Sequence, residues 1–234
     1  MQFRKLGRTG VDVSLICLGT MTYGEQNTEA DAFAQMDYAL EHGVNFLETA
    51  ELYAIPPKAE TQGRTETYIG NWFKARGTRH KIILASKVAG RDRGGMTWLR
   101  KDGSSPQVTK PQMIEALEGS LRRLQTDCID LYYLHRWDKK VPIEDSVGAL
   151  SELVRAGKIR SIGLSEVSAA TLHRAHAVHP IVAVQSEYSL WTRNPEIAVL
   201  DACRSLGAAL VAFSPLGRAF LADGLPHVND LAAK

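Results

Sequence analysis

No apolar run in this sequence approaches the ~20 residues that a membrane-spanning helix needs. The start, MQFRKLGRTG, lacks the apolar core of a secretory signal. Neither sign of charge dominates: the net charge is +2. That excludes a strong electrostatic pull toward nucleic acid or an anionic membrane surface. Cysteine is scarce, and Cys17, Cys128 and Cys203 are far apart and odd in number. Neither a disulfide framework nor zinc-ligand spacing follows, so reduced thiols in a cytoplasmic protein are expected. Glycine-rich phosphate loops are missing too. No GxGxxG or GxxxxGK[ST] pattern follows a strand-like run, which counts against an open dinucleotide-binding or P-loop sheet. Low-complexity tracts, linkers and short solenoid repeats are also lacking.

What is present is an alternation. Across 234 residues, 44% hydrophobic and 23% charged, apolar runs rich in β-branched residues are followed by polar turns and amphipathic helices. The strand candidates are 14–20, 44–49, 81–88, 129–135, 159–165, 181–187 and 209–215. Several are apolar on both faces, as in a parallel sheet covered by helices. Between them lie helices with readable ends. Thr28 and Asp31 form a capping box, and Gly43 stops that helix. Ile114, Leu117, Leu121 and Leu124 form one apolar stripe, and Val147, Leu150 and Leu153 form another, closed by Gly157. Pro195 after Asn194 predicts a helix start. Further helices are expected over 65–76 and after Ser168. Length and alternation predict a single domain over 1–234, a (β/α)8 TIM-type barrel of parallel strands whose C-terminal eighth strand is expected to be missing from this sequence or unread in it. Two turn signals near the start predict a small preceding hairpin. The natural protein is expected to continue past Lys234, because a barrel lacking a strand exposes unpaired edges.

In a barrel, chemistry gathers at the C-terminal ends of the strands. Here those ends read Gly19-Thr20-Met21, Glu48-Thr49 with Glu51 and Tyr53, Ser86-Lys87, His135-Arg136, Ser165-Glu166, Gln185-Ser186-Glu187 and Phe213-Ser214-Pro215. A tyrosine, a lysine, a histidine and a carboxylate converge on one rim. A hydride added to a carbonyl carbon leaves an alkoxide that needs a proton. Tyr53 could supply it if a cationic Lys87 lowered its pKa, with Glu48 holding Lys87 charged. His135 could donate a hydrogen bond to the carbonyl oxygen as negative charge develops there.

The stretches FLETAELY, ASKV, IDLYYLH, GKIRSIGLSEVS, QSEYSL and AFSPLGRAFL together resemble the aldo-keto reductases, and most closely the bacterial branch similar to potassium-channel β-subunits. The resemblance covers essentially the whole chain. It implies NAD(P)H-dependent reduction of a small carbonyl substrate, with NADP(H) favoured and NAD(H) left open. It implies Tyr53 as proton donor, Lys87 as its partner, Glu48 in the position of the lysine's counter-ion, and His135 orienting the carbonyl. Ser165 and Gln185 match the pair that holds the nicotinamide carboxamide, with Glu166 where the family usually has Asn. Phe213 matches the aromatic that stacks on the ring. Ser214, Pro215, Leu216 and Gly217, with Arg218 beside them, match the pyrophosphate loop, and Gly19, Thr20 and Met21 the segment beside the ribose. Glu48 departs from the family's usual Asp, and the extra methylene is expected to reduce activity or shift its pH dependence. The resemblance implies that a basic segment clamping a 2′-phosphate would be expected beyond Lys234.

Other features read plainly. Glu51 is expected to be solvated or structural. His173, His176 and His179 read as an exposed helix and its end, since a tetrahedral metal site needs more ligands. Trp98, Trp137 and Trp191 are candidate pocket walls or packing residues, and so is the segment 55–67. The long loop 89–110 reads as a flap or a solvated insertion. Two further functions are consistent with parts of the pattern: a cofactor-binding, redox-sensing regulatory subunit, and a barrel hydrolase using Glu48 and Glu51 as acid and base.

Overall fold

A computed structural model describes residues 1–90 and 94–222. The chain opens with an antiparallel hairpin, β1 (Phe3–Lys5) and β2 (Asp12–Ser14). Seven parallel strands follow in chain order: β3 (Cys17–Gly19), β4 (Phe46–Glu48), β5 (Ile83–Val88), β6 (Leu131–Leu134), β7 (Ile162–Ser165), β8 (Ile181–Glu187) and β9 (Ala209–Phe213). Each strand pairs with the next, so the sheet curls as a TIM-type barrel does. Among the described residues it ends at β9, without an eighth strand. The intervening helices are α1 (Glu29–Glu41), α2 (Arg64–Arg76), α3 (Lys110–Leu124), α4 (Ile143–Arg155), α5 (Ala169–Val178) and α6 (Val199–Leu206).

The two-residue period of the strands splits the core into two layers. Leu47, Leu84, Tyr132, Leu134, Ile162, Leu164 and Val184 face outward, and pack with Ile69, Trp72, Leu117, Val147, Leu150 and Leu172 of the helices. Phe46, Ala85, Leu131, Tyr133 and Ala183 face inward. Leu6 and Val13 of the hairpin join this inner cluster and close its floor. Tyr133 fills the interior only because Gly163 lies opposite: a Cβ there would sit 2.4 Å from the tyrosine ring.

The predicted capping box forms: the Thr28 hydroxyl accepts the Asp31 N–H at 3.2 Å, and the Asp31 carboxylate accepts the Thr28 N–H at 2.9 Å. Two local expectations shift. On α3 the buried stripe begins at Met113, and Ile114 faces outward. Met113 lies four residues before Leu117 and so shares its face, whereas Ile114 is turned away by about 100°. Pro195 starts a short 3₁₀ turn, Asn194–Ile197, and α6 begins only at Val199 because Ala198 leaves helical dihedrals (φ −158°, ψ −25°). The loop 89–110 is no simple solvated insertion over its described part, for Leu99, Arg100 and Val108 are buried. Residues 91–93 lie outside the described residues. Among the described residues, no helix is long and apolar enough to cross a membrane.

Candidate active site

Inward parity continues past the apolar layer to the top of the strands. On β4, Phe46 points in and so does Glu48. On β5 the inward sequence Ile83, Ala85, Lys87 ends on the lysine, and on β6 it runs Leu131, Tyr133, His135. On β7 and β8, Ser165 and Gln185 are direct register partners. One rule, two residues beyond the last inward apolar side chain, thus places Glu48, Lys87, His135 and Gln185; Ser165 follows the inward Gly163, and Tyr53 joins them from the loop after β4.

Lys87 is fully buried and ion-paired to Glu48 Oε1. Its ammonium also donates to the Tyr53 hydroxyl at 3.1 Å and to the Thr49 carbonyl at 3.2 Å. It lies 4.7 Å from the centre of the Tyr53 ring. The extra methylene of Glu48 therefore does not prevent the lysine contact. Its second oxygen accepts from Gln185 Nε2 at 3.2 Å, across the barrel mouth. His135 stands edge-on to Tyr53, ring centres 5.7 Å apart.

The charge states follow from this packing. Burial pulls the Lys87 pKa down, but Glu48 and Tyr53 outweigh it, and the net direction is above the usual ammonium value. Burial pushes the Tyr53 phenol up, and Glu48 adds to that; Lys87 and Arg136 pull it down without prevailing. This corrects the expectation of a lowered phenol pKa: desolvation and Glu48 outweigh Lys87, and Tyr53 carries its proton. Burial, Lys87 and Arg136 hold His135 well below the ordinary histidine value, so the imidazole is neutral near pH 7.

The remaining predicted residues surround this cluster. The buried Thr20 hydroxyl donates to the Glu48 carbonyl at 2.9 Å. Gly19 ends β3, and Met21 is exposed. Glu166 leaves β7 with φ 55°; its N–H donates to the Gln185 carbonyl at 2.9 Å, and its carboxylate accepts the Glu187 N–H at 2.9 Å. Phe213 is half-buried opposite Glu187. Ser214 follows it with φ 51°, and a turn through Pro215 and Leu216 closes by the Gly217 N–H to the Ser214 carbonyl at 2.9 Å. Arg218 is exposed beyond that turn, so 213–218 sit at the sheet's open edge, outside the Lys87 cluster.

Two residues without a predicted role belong here. Arg136 donates to Ser165 Oγ at 2.9 Å and to the His135 carbonyl at 2.6 Å, tying β6 to β7 at the rim. Arg100 forms a bidentate pair with Glu51, both bonds at 2.9 Å, its side chain and that of Glu51 only 1% and 2% exposed. Glu51 is therefore structural rather than solvated, and a carboxylate clamped in this way is not the second member of a hydrolase acid–base pair. The only sequence clue to Arg100 was indirect: a carboxylate two residues before Tyr53 with no evident partner. Of the tryptophans, Trp137 packs on the outer core and donates to the Val141 carbonyl at 2.8 Å, whereas Trp191 is exposed against Phe220. On α5, His176 Nδ1 accepts the Ile181 N–H at 3.2 Å, a structural use of that histidine. Among the described residues, no group of three or more His, Cys, Asp or Glu side chains is placed to hold a metal ion.

Comparison with known proteins agrees with this arrangement. Residues 15–229 match the sequence model of the aldo/keto reductase family. Protein tas of Escherichia coli K12 is 42% identical over 240 aligned positions, covering 93% of this chain and 68% of that protein, and protein tas of Shigella flexneri matches equally. A crystal structure of the thermostable aldo-keto reductase Tm1743 with the inhibitor epalrestat superposes with a TM-score of 0.80 at 30% identity, covering 94% of this chain and 75% of that one. With seven curled parallel strands, a polar rim at their C-terminal ends and a family match spanning most of its length, the chain belongs to the aldo/keto reductase family, a family of oxidoreductases.

Proposed function

We propose that this protein reduces aldehydes or ketones to alcohols, with Tyr53 as proton donor and NADP(H), ahead of NAD(H), as the cofactor. The observation that carries the reading is the Lys87 ammonium, which contacts Glu48 and the Tyr53 hydroxyl at once. The mouth fits a nicotinamide cofactor: nothing lies within 4 Å of where a Cβ on Gly19 would stand, and Ser165 and Gln185 are register partners on β7 and β8. Ser165, Glu166 and Gln185 would hold the carboxamide, Phe213 the ring, Gly19, Thr20 and Met21 the ribose side, and Ser214, Pro215, Leu216, Gly217 and Arg218 the pyrophosphate. When bound, the cofactor supplies the hydride.

The protein's part is protonic. Tyr53 enters protonated and gives its proton to the oxygen that becomes the alcohol. Lys87 then faces a phenolate, and the charge pair at 3.1 Å stabilises the product side of that transfer. The neutral His135 donates a hydrogen bond to the same oxygen and orients the carbonyl. Glu48 keeps Lys87 cationic throughout. We read the partners as small molecules, without nucleic acid or membrane, in a cytoplasmic setting. The test is oxidation of NADPH and of NADH with a panel of aromatic and aliphatic aldehydes. Wild type should turn over, and Tyr53→Phe should lose ~10²–10⁴-fold in kcat while still binding cofactor. Tight cofactor binding with no turnover of any carbonyl would move the protein to the sensing role.

A further inference from the structure

Two residues before Tyr53, Glu51 behaves like a strand residue although β4 has ended. Its backbone N–H donates to the Lys87 carbonyl at 3.2 Å. Its carboxylate accepts the Ala89 N–H at 2.6 Å. One residue thus extends the ladder between β4 and β5, bonding the chain on both sides of Val88. Arg100 closes the arrangement from the far side: its fork takes both carboxylate oxygens, and Nη2 also donates to the Ala89 carbonyl at 3.3 Å. Gln62 donates to the Glu51 carbonyl at 2.7 Å, which ties in the segment leading to α2. Every one of these contacts is on a chain segment that carries Tyr53 or Lys87.

We propose that the Glu51–Arg100 clasp is a positioning device that sets the Tyr53–Lys87 contact, although neither residue reaches the substrate. The logic is geometric. Tyr53 stands on a loop, and a loop alone does not hold a hydroxyl within hydrogen-bond reach of an ammonium on a neighbouring strand. The clasp fixes that loop to β5 on either side of Val88, one residue from Lys87. A bare carboxylate buried at this point would be unstable, so the bond to Ala89 requires Arg100. Arg100 lies in the 89–110 loop, which the clasp therefore also pins to the rim. The pair thereby makes one loop's seating a condition of the other loop's geometry.

This inference rests on the reductase reading for its kinetic arm, but it has an arm that needs no turnover. The first variant is Glu51→Leu/Arg100→Met, which removes the clasp without leaving a lone buried charge. It should lose ~10²-fold in kcat, the scale of a 1 Å misplacement, with the KM for NADPH within about threefold of wild type. Glu51→Gln/Arg100→Met keeps an acceptor for the Ala89 N–H and should recover at least tenfold of that loss. In parallel, the ¹³Cζ resonance of Tyr53, assigned by its disappearance in Tyr53→Phe, reports the contact with Lys87 directly. It should move in Glu51→Leu/Arg100→Met and return toward wild type in the Gln variant. A Tyr53 resonance unchanged in a folded Leu/Met variant overturns the proposal, whether or not any carbonyl is reduced. If that variant does not melt cooperatively, Arg100→Lys, which keeps the charge and loses the fork, carries the same readouts. Wild-type kcat and an unmoved resonance there overturn the proposal equally. A wild type that turns over no carbonyl, together with a resonance that moves as described, overturns the reductase reading and keeps the clasp.

Discussion

Two buried ion pairs stand at the rim, and they are built differently. Arg100 and Glu51 are closed on each other: both carboxylate oxygens take the guanidinium fork, and one also takes a backbone N–H. Lys87 and Glu48 are left open. The lysine shares its protons with Tyr53 and a carbonyl, and the carboxylate spends its second oxygen on Gln185. Burial is similar, so burial does not separate structural from chemical charge. The difference is what the remaining protons meet: those of Arg100 reach the Gln112 amide and backbone carbonyls, which do not titrate, whereas Lys87 reaches a phenol. An ammonium that touches a titratable phenol can stabilise a new charge there; a guanidinium whose other partners are an amide and backbone carbonyls can only hold position.

The largest effects should fall on the open pair. Lys87→Met strands the buried Glu48 carboxylate, which should cost about 3–5 kcal/mol, visible as a melting temperature lower by roughly 10 °C. Turnover should fall ~10³-fold or more, because Tyr53 loses the cation facing its phenolate. Arg100→Met should cost similar stability and about tenfold less in kcat. Equal kinetic losses in the two variants would erase the distinction between them.

Shortening the carboxylates comes next. Glu48 reaches Lys87 and Gln185 together, and Asp, one methylene shorter, keeps only one of them. Glu48→Asp should keep the lysine, release Gln185, lower the KM for NADPH and change kcat by less than about tenfold, since the Tyr53–Lys87 contact is already at 3.1 Å. A hundredfold rise in kcat would show instead that Glu48 misplaces the lysine.

How much of this was legible in the sequence depends on the range of the interaction. The strand runs and their polar ends follow from local periodicity, the hairpin from turn signals and the capping box from the Thr28–Asp31 spacing, so these positions were readable. Three things were not. The helix phase at Ile114 turned on which of two adjacent apolar residues the sheet selects. The sign of the Tyr53 shift turned on a balance between desolvation and Lys87, which residue types alone leave undecided. Arg100 sits 49 residues from Glu51, on a loop with no periodicity, and only the folded chain joins them.

His135 gives a pH test that touches the open pair alone. Its folded pKa lies below the ordinary value, because burial, Lys87 and Arg136 disfavour the imidazolium. The unfolded chain therefore binds the proton first, and stability present above about pH 6.5 is lost as pH falls. Melting temperature should drop more steeply between about pH 7.5 and 5.5 in wild type than in His135→Asn. His176, also lowered by burial and by Arg8, sets a background common to both proteins. Identical slopes would mean that His135 is as well solvated folded as unfolded.

The smallest effect should come from a residue outside both pairs. Glu166 turns the chain out of β7 in the left-handed region, at φ 55°, where Asn is more at ease than other non-glycine residues. Glu166→Asn should relieve that strain and add up to about 0.5–1 kcal/mol. Against it stands the bond from the Glu187 N–H to the Glu166 carboxylate at 2.9 Å, which the shorter side chain gives up. That residue is exposed, so water replaces the lost acceptor at little cost, and the backbone term should prevail. A denaturant midpoint that rises with an unchanged slope confirms this; a midpoint that falls would show that the carboxylate's hold on Glu187, rather than the dihedral, decides the residue at this corner.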